Sequence, residues 1–204
     1  MLQINNICTV VGTVSDKIEF SHKVYGETFY NVKVDVSRDS GNIDTLPVVI
    51  SDRLIDVNSI AGKRVKVSGS FRSFNKHSEC HNKLILNLFV TEISLITDNC
   101  DINEISLDGY ICKPSIYRKT PLGREIADVL LAVNRPYGKS DYIPCICWGR
   151  NAKYADQFEV GTHIKISGRI QSREYQKKIG EDEFEKRIAY EVSVSKMECI
   201  DEDA

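Results

Sequence analysis

The chain has 204 residues, 42% hydrophobic and 27% charged, with a formal net charge of −2 and a pI near 6.1. That length allows one large domain or two of about 100 residues, and no apolar run approaches the roughly 18 residues of a membrane helix. The opening Met1-Leu2-Gln3-Ile4-Asn5-Asn6 lacks the basic start and apolar core of a secretion signal, and the seven cysteines follow no framework spacing, so a cytoplasmic protein with reduced thiols is expected, with no membrane partner.

The average charge hides an asymmetry. Residues 105–204 hold 16 basic and 16 acidic side chains, but four of those acids are Glu198, Asp201, Glu202 and Asp203. Without that tail the second half is basic, which suits contact with a polyanion.

In chain order, Ile7 to Val14 reads as a strand and Phe29 to Val36 as a second, after a turn at Tyr25-Gly26-Glu27. Leu46 to Ile50 and Arg64 to Phe71 follow as strands, with a short helix around Leu54 to Ile60 between them. Leu84 to Ile96 closes the unit, its apolar positions alternating at Leu84, Leu86, Leu88 and Val90. Five strands with a helix between the third and fourth is the order of an OB-fold, a small Greek-key barrel.

The second half repeats the first. Gly12 and Gly109 are 97 residues apart, as are Gly26 and Gly123, and Pro47 and Pro144; after the helix the offset becomes 99, pairing Val65-Lys66-Val67-Ser68-Gly69 with Ile164-Lys165-Ile166-Ser167-Gly168. Glycines and prolines mark backbone positions with special torsional needs, so a constant offset between them reports a duplicated fold. The predicted architecture is all-β: two tandem OB-folds over 1–97 and 105–204, with 98–104 as linker.

Within the second copy, Ile164, Ile166 and Ile170 alternate with Lys165, Ser167, Arg169, Gln171, Arg173 and Tyr175. A basic strand face ending in a ring suits single-stranded nucleic acid, where cations track phosphates and rings stack on bases; a solvated outer face carries the same pattern. On the preceding strand Tyr142, Pro144, Ile146 and Trp148 share one parity and Cys145 and Cys147 the other. Pro144 cannot donate to a ladder, which points to an edge or a bulge there. The two thiols read as small core residues.

Three stretches, Leu131-Ala132-Val133-Asn134-Arg135-Pro136-Tyr137, Cys147-Trp148-Gly149-Arg150-Asn151-Ala152 and Gly161 through Tyr175, make the second copy resemble the bacterial single-stranded DNA-binding protein family. The resemblance implies base stacking by aromatics at four places, whose counterparts are Tyr137, Tyr142, Trp148 and Tyr175. It also implies phosphate contacts, for which Arg169 and Arg173 stand first because they share the Tyr175 face. Arg150, Lys177, Lys113, Arg118, Lys119 and Arg135 are further candidates. Applied to the first copy, the offsets place Ser40, Thr45, Ser51 and Lys76 at the four ring positions. That copy keeps Arg72, Phe74 and Lys76 as weaker candidates, and in this it is closer to primosomal replication protein N (PriB).

The expectation is therefore sequence-tolerant binding of single-stranded DNA in replication, repair or recombination, with RNA open because stacking does not report the sugar. The alternative is a primosome-like protein acting mainly through protein partners. The family resemblance implies a homodimer. Acids close the chain without a disordered spacer or a Pro-Phe tip, which argues against recruiting replication proteins by that route. His77-Ser78-Glu79-Cys80-His81 offers metal-type donors without a second cluster, so no metal and no cofactor are expected. No nucleophile-base or carboxylate pair suggests an enzyme.

Overall fold

The computed structural model describes residues 5–77, 82–178 and 183–200. The first half contains β1 (Asn6–Val14), β2 (Glu19–Val24), β3 (Glu27–Ser37), β4 (Ile43–Ser51), a 3-10 turn at Val57–Ile60, β5 (Arg64–His77) and β6 (Asn82–Leu95). The second contains β7 (Ile102–Ile111), β8 (Ile116–Lys119), β9 (Glu125–Arg135), β10 (Lys139–Trp148), the helix α1 (Arg150–Ala155), β11 (His163–Lys178) and β12 (Phe184–Cys199). Strand β7 therefore begins at Ile102, inside the stretch expected as linker. Among the described residues no helix is long and apolar enough to cross a membrane.

Each half closes on itself. β1 pairs with β5, β5 with β6, β6 runs parallel to β4 at Val48 and Val49, β4 pairs with β3, and β3 returns to β1 at Thr13 and Val14. The second half makes the same circuit, with the parallel contact between Cys145–Cys147 and Val192–Val194. These are two tandem OB-folds. Pairing is driven by alternation: Val10, Val34, Leu46, Val67, Phe71 and Leu88 fill one barrel, and Leu107, Leu131, Ile143, Ile164, Ile166 and Ile170 the other, all almost fully buried. Burial of each such side chain contributes about 1.5–3 kcal/mol.

The conserved offsets have a steric cause. A Cβ on Gly12 would collide with the Asp35 carbonyl oxygen, and one on Gly109 with that of Ala132; on Gly69 and Gly168 the obstacles are the carbonyls of Phe89 and Ser193. The last two sit where the registers of β5–β6 and β11–β12 shift, at bulges that coil a long hairpin around its barrel. The prolines repeat for a related reason. Pro47 and Pro144 pair on one side only, each one residue before the parallel ladder begins at Val48 or Cys145, so neither place asks for the missing N–H.

Some features differ from the sequence reading. β2 and β8 have no predicted counterpart, because they are short, mostly exposed on both faces and carry too few apolar residues to mark a buried side. β2 forms through a hairpin whose turn places Tyr25 and Gly26 at φ 47° and 82°, the torsions that match strand twist. β5 and β11 run past the predicted ends because their outer halves leave the barrel as two-stranded arms. The first-half helix is a single 3-10 turn capped by Asp56, whose side chain accepts from the Asn58 N–H.

The two barrels share one sheet. β1 and β7 pair antiparallel from Asn6↔Leu107 to Val11↔Ile102, giving a continuous strand order from β2 to β8. Two buried carboxylates reinforce the junction. Asp44 of β4 accepts from the Ser172 N–H at 2.8 Å, and Asp141 of β10 accepts from the Ser73 N–H at 2.6 Å. Each bond links one barrel to the other barrel's hairpin arm, and the partners stand at the 97- and 99-residue offsets of the repeat.

Candidate nucleic-acid interface

The open side of the second barrel is built from β10, β12 and β11. Trp148 ends β10 and is 38% exposed, its indole N–H donating to Ser193 Oγ of β12 at 3.3 Å. Register brings Ser193 opposite Arg169, and Glu191 opposite Gln171. Trp148, Arg169 and Arg173 thus line one concavity of about 840 Å³, with Gln171 and Ile146 on its floor. Gln171 Nε2 donates to Glu191 at 2.7 Å, and Arg173 lies 3.7 Å from the same carboxylate, so the floor is held in place by its own polar pair. Opposite parity sends Cys145 and Cys147 into the core, where burial pushes the Cys147 thiol up to about 12 and raises that of Cys145 as well. Both are inert neutral thiols at neutral pH.

The other candidates extend from this centre. Tyr175 lies on the β11 arm, 36% exposed, with the Arg173 guanidinium 5.9 Å from its ring. Tyr142 lies within β10, 43% exposed, its backbone N–H donating to Ser73 Oγ of the first barrel at 2.7 Å. Tyr137 occupies the β9–β10 turn at φ 66° and is 99% exposed. Arg150 begins α1 on the surface, and Lys177 lies near the end of the β11 arm. The structure therefore gathers Trp148, Arg169 and Arg173 at one place and spreads Tyr137, Tyr142, Tyr175, Arg150 and Lys177 around it. Arg118 and Lys119 are paired with Asp128 and Glu125. In the hairpin tips, residues 78–81 and 179–182 lie outside the described residues, and with them most of the donor-rich His77–His81 stretch and much of the charged Lys177–Asp182 tip.

On the first barrel the equivalent side carries rings that the repeat offsets do not reveal. Phe29 is stacked on His22 at 4.7 Å and meets Phe89 at 5.6 Å. The Arg72 guanidinium sits 3.9 Å above the Phe89 ring. Phe89 faces Ser70 in the ladder as Ser193 faces Arg169, so a ring stands where the second barrel has a hydroxyl. Phe74 is 48% exposed on the same side. Arg72, Phe74 and Phe89 line a concavity of about 1310 Å³. The backbone of Lys76 belongs to β5.

Two residues lining the second barrel's concavity, Arg38 and Arg124, escape a strand-by-strand reading, and Arg135, a candidate for the second barrel from the sequence, lines the first barrel's concavity instead. Arg38 and Arg135 each come from the opposite barrel. Their signal in the sequence is the repeat itself, since they are 97 residues apart.

The single-strand binding protein family model matches residues 102–200. Among curated relatives, single-stranded DNA-binding protein B of Bacillus subtilis (strain 168) is 33% identical over 85 residues, covering 38% of this chain and 75% of that protein. Single-stranded DNA-binding protein 2 of Listeria innocua is 32% identical over 97 residues, covering 44% of this chain and 61% of the relative. Others are matched over about half their length, 54% and 51%. In three dimensions the chain is similar to the wild-type single-stranded DNA-binding protein from Thermus aquaticus, with a TM-score of 0.78 at 16% identity over 98% of this chain and 94% of the other, a likeness of fold. A solved structure of the N-terminal domain of PriB from Thermoanaerobacter tencongensis is 41% identical over 46% of this chain, at a TM-score of 0.40. With OB-folds throughout, and a second barrel that the family model spans, the chain belongs to the single-strand binding protein family.

Proposed function

We propose that the chain binds single-stranded DNA without reading its sequence, using the open side of the second barrel as the principal face. The observation that carries this is the shared concavity of Trp148, Arg169 and Arg173: a partly exposed indole and two guanidinium groups lining one hollow offer a stacking surface together with phosphate partners. Tyr175, Tyr142 and Tyr137 extend the stacking surface outward, and Arg150 and Lys177 add charge. Each stacked base contributes about 1–3 kcal/mol, so a few rings suffice for useful affinity, and duplex is disfavoured because its base faces are covered. The relatives are named for single-stranded DNA binding, and binding that ignores sequence suits the exposed single strands of replication, repair or recombination. Two copies of the chain would present four barrels; light scattering that returns a monomer removes that part of the reading.

Trp148 is the chain's one tryptophan, so its emission reports the site directly. Titration with oligo-dT at low salt should quench it strongly, and added salt should restore it. Unchanged emission at micromolar oligo-dT in low salt overturns the proposal.

A further inference from the structure

We infer that each barrel's open face is completed by an arginine from the other barrel, so that the tandem forms one composite binding surface and not two independent ones. The inference rests on the single-strand reading above and adds the residues that join its two faces.

Arg38 follows β3 in the first barrel, yet it lines the second barrel's concavity beside Trp148, Arg169 and Arg173. It is held there by Asp44, which accepts from Arg38 Nε at 2.6 Å and also receives the Ser172 N–H and Oγ from the β11 arm. Asp44 has a side chain only 1% exposed. Burial disfavours its charge, but the Arg38 guanidinium and the Ser172 amide outweigh burial and hold its pKa below the ordinary carboxylate value. The carboxylate engages the Nε and Nη2 side of the fork, and among the described residues Nη1 has no hydrogen-bond partner. A guanidinium fixed on one edge by a buried acid and lining a concavity with its other donors is preorganised for an anion.

The same device recurs in mirror image. Arg135 ends β9 of the second barrel and lines the first barrel's concavity with Arg72, Phe74 and Phe89. Its Nε lies 3.2 Å from the buried Asp141 carboxylate, which accepts the Ser73 N–H of the β5 arm. Here two guanidinium groups, Arg72 and Arg135, surround one acid, and the Nε atoms of both lack a hydrogen bond. Two occurrences related by the repeat make a packing accident a poor explanation: the arginine that anchors the junction is in both cases the one that reaches the neighbour's face. The ligand class is the phosphate backbone of a single strand passing from one barrel to the other.

The test follows Trp148 quenching by oligo-dT against salt in the full chain, comparing Asp44→Asn with the double variant Arg38→Gln/Asp44→Asn. Neither strands a buried carboxylate, so the pair isolates the guanidinium. If Arg38 meets a phosphate, the plot of log affinity against log salt is shallower in the double variant by about 0.7, the share of one single-strand phosphate contact. Arg38→Lys, which keeps the charge, should retain the wild-type slope. A double variant with the same slope as Asp44→Asn would limit Arg38 to anchoring and overturn the inference while leaving the single-strand reading intact. Absence of quenching in the wild type instead takes down the reading on which the inference rests.

Discussion

The two barrels share a fold and differ in what their open sides do with aromatic rings. In the first, His22, Phe29 and Phe89 lie against one another and Arg72 covers Phe89; the rings satisfy each other. In the second, Trp148 stands against a hydroxyl, Ser193, and its face is left to the concavity, with Tyr142, Tyr175 and Tyr137 exposed around it. A ring is useful for stacking only where the fold declines to cover it. The two barrels are equal scaffolds, and the occupants of one equivalent ladder position, Ser193 and Phe89, leave Trp148 open to its concavity in one and join a covered ring cluster in the other.

The comparison can be broken at several levels. The largest effects belong to what the barrels have in common. Asp44→Asn should cost about 3 kcal/mol at neutral pH by leaving Arg38 without its counter-charge at the junction, read by chemical denaturation. Because the Asp44 pKa is depressed in the fold, its contribution is present above the unfolded carboxylate value and is lost as pH falls through the folded one, so the deficit of the variant should shrink in acid. Asp141 behaves oppositely. Burial, only partly offset by the Ser73 N–H and the Arg135 and Arg72 charges, raises its pKa, so ionising it costs stability as pH rises from the unfolded carboxylate value through the folded one. Mild acid, which protonates it, should therefore relieve the wild type at this junction but not Asp141→Asn. Equal pH profiles for the two variants contradict the asymmetry.

Gly69→Ala and Gly168→Ala should each destabilise by about 2–3 kcal/mol, since a carbonyl oxygen occupies the Cβ position in both. A large difference between them in thermal melting would show that the bulges are not equivalent. At the level where the barrels diverge, Trp148→Ala should weaken oligo-dT binding by about 2 kcal/mol with little effect on stability, while Phe89→Ala should do the reverse, costing about 2 kcal/mol of stability with little effect on binding. Smallest are the peripheral rings: Tyr142→Ala and Tyr175→Ala should each weaken binding by about 1 kcal/mol, and Phe74→Ala by less. Equal losses from all three in a filter-binding or anisotropy assay would remove the division of labour.

Much of this was legible from residue order. Alternation at Ile164, Ile166 and Ile170 and the repeated glycines and prolines carried the barrel count, because burial on one face of a strand and collision with a neighbouring carbonyl leave local marks in the chain. Parity placed Trp148 and the basic β11 positions on the side away from the core. The same 97-residue offset also pairs Arg38 with Arg135 and Asp44 with Asp141, so the junction was written in the sequence; its meaning was not, because charged residues near a strand start look like solvated surface until a second barrel buries them. The rings of the first barrel were hidden for a similar reason. His22 and Phe29 face each other across the β2–β3 hairpin, but Phe89 of β6 joins them only through barrel closure, and whether a ring is covered depends on its neighbours across the sheet. The amino-acid sequence alone determined two barrels and the outward parity of their candidate residues, since both follow from local periodicity and sterics; which rings stay open, and which arginine lines which concavity, was decided by tertiary packing, because contact between distant strands is a property of the closed sheet and of no single segment.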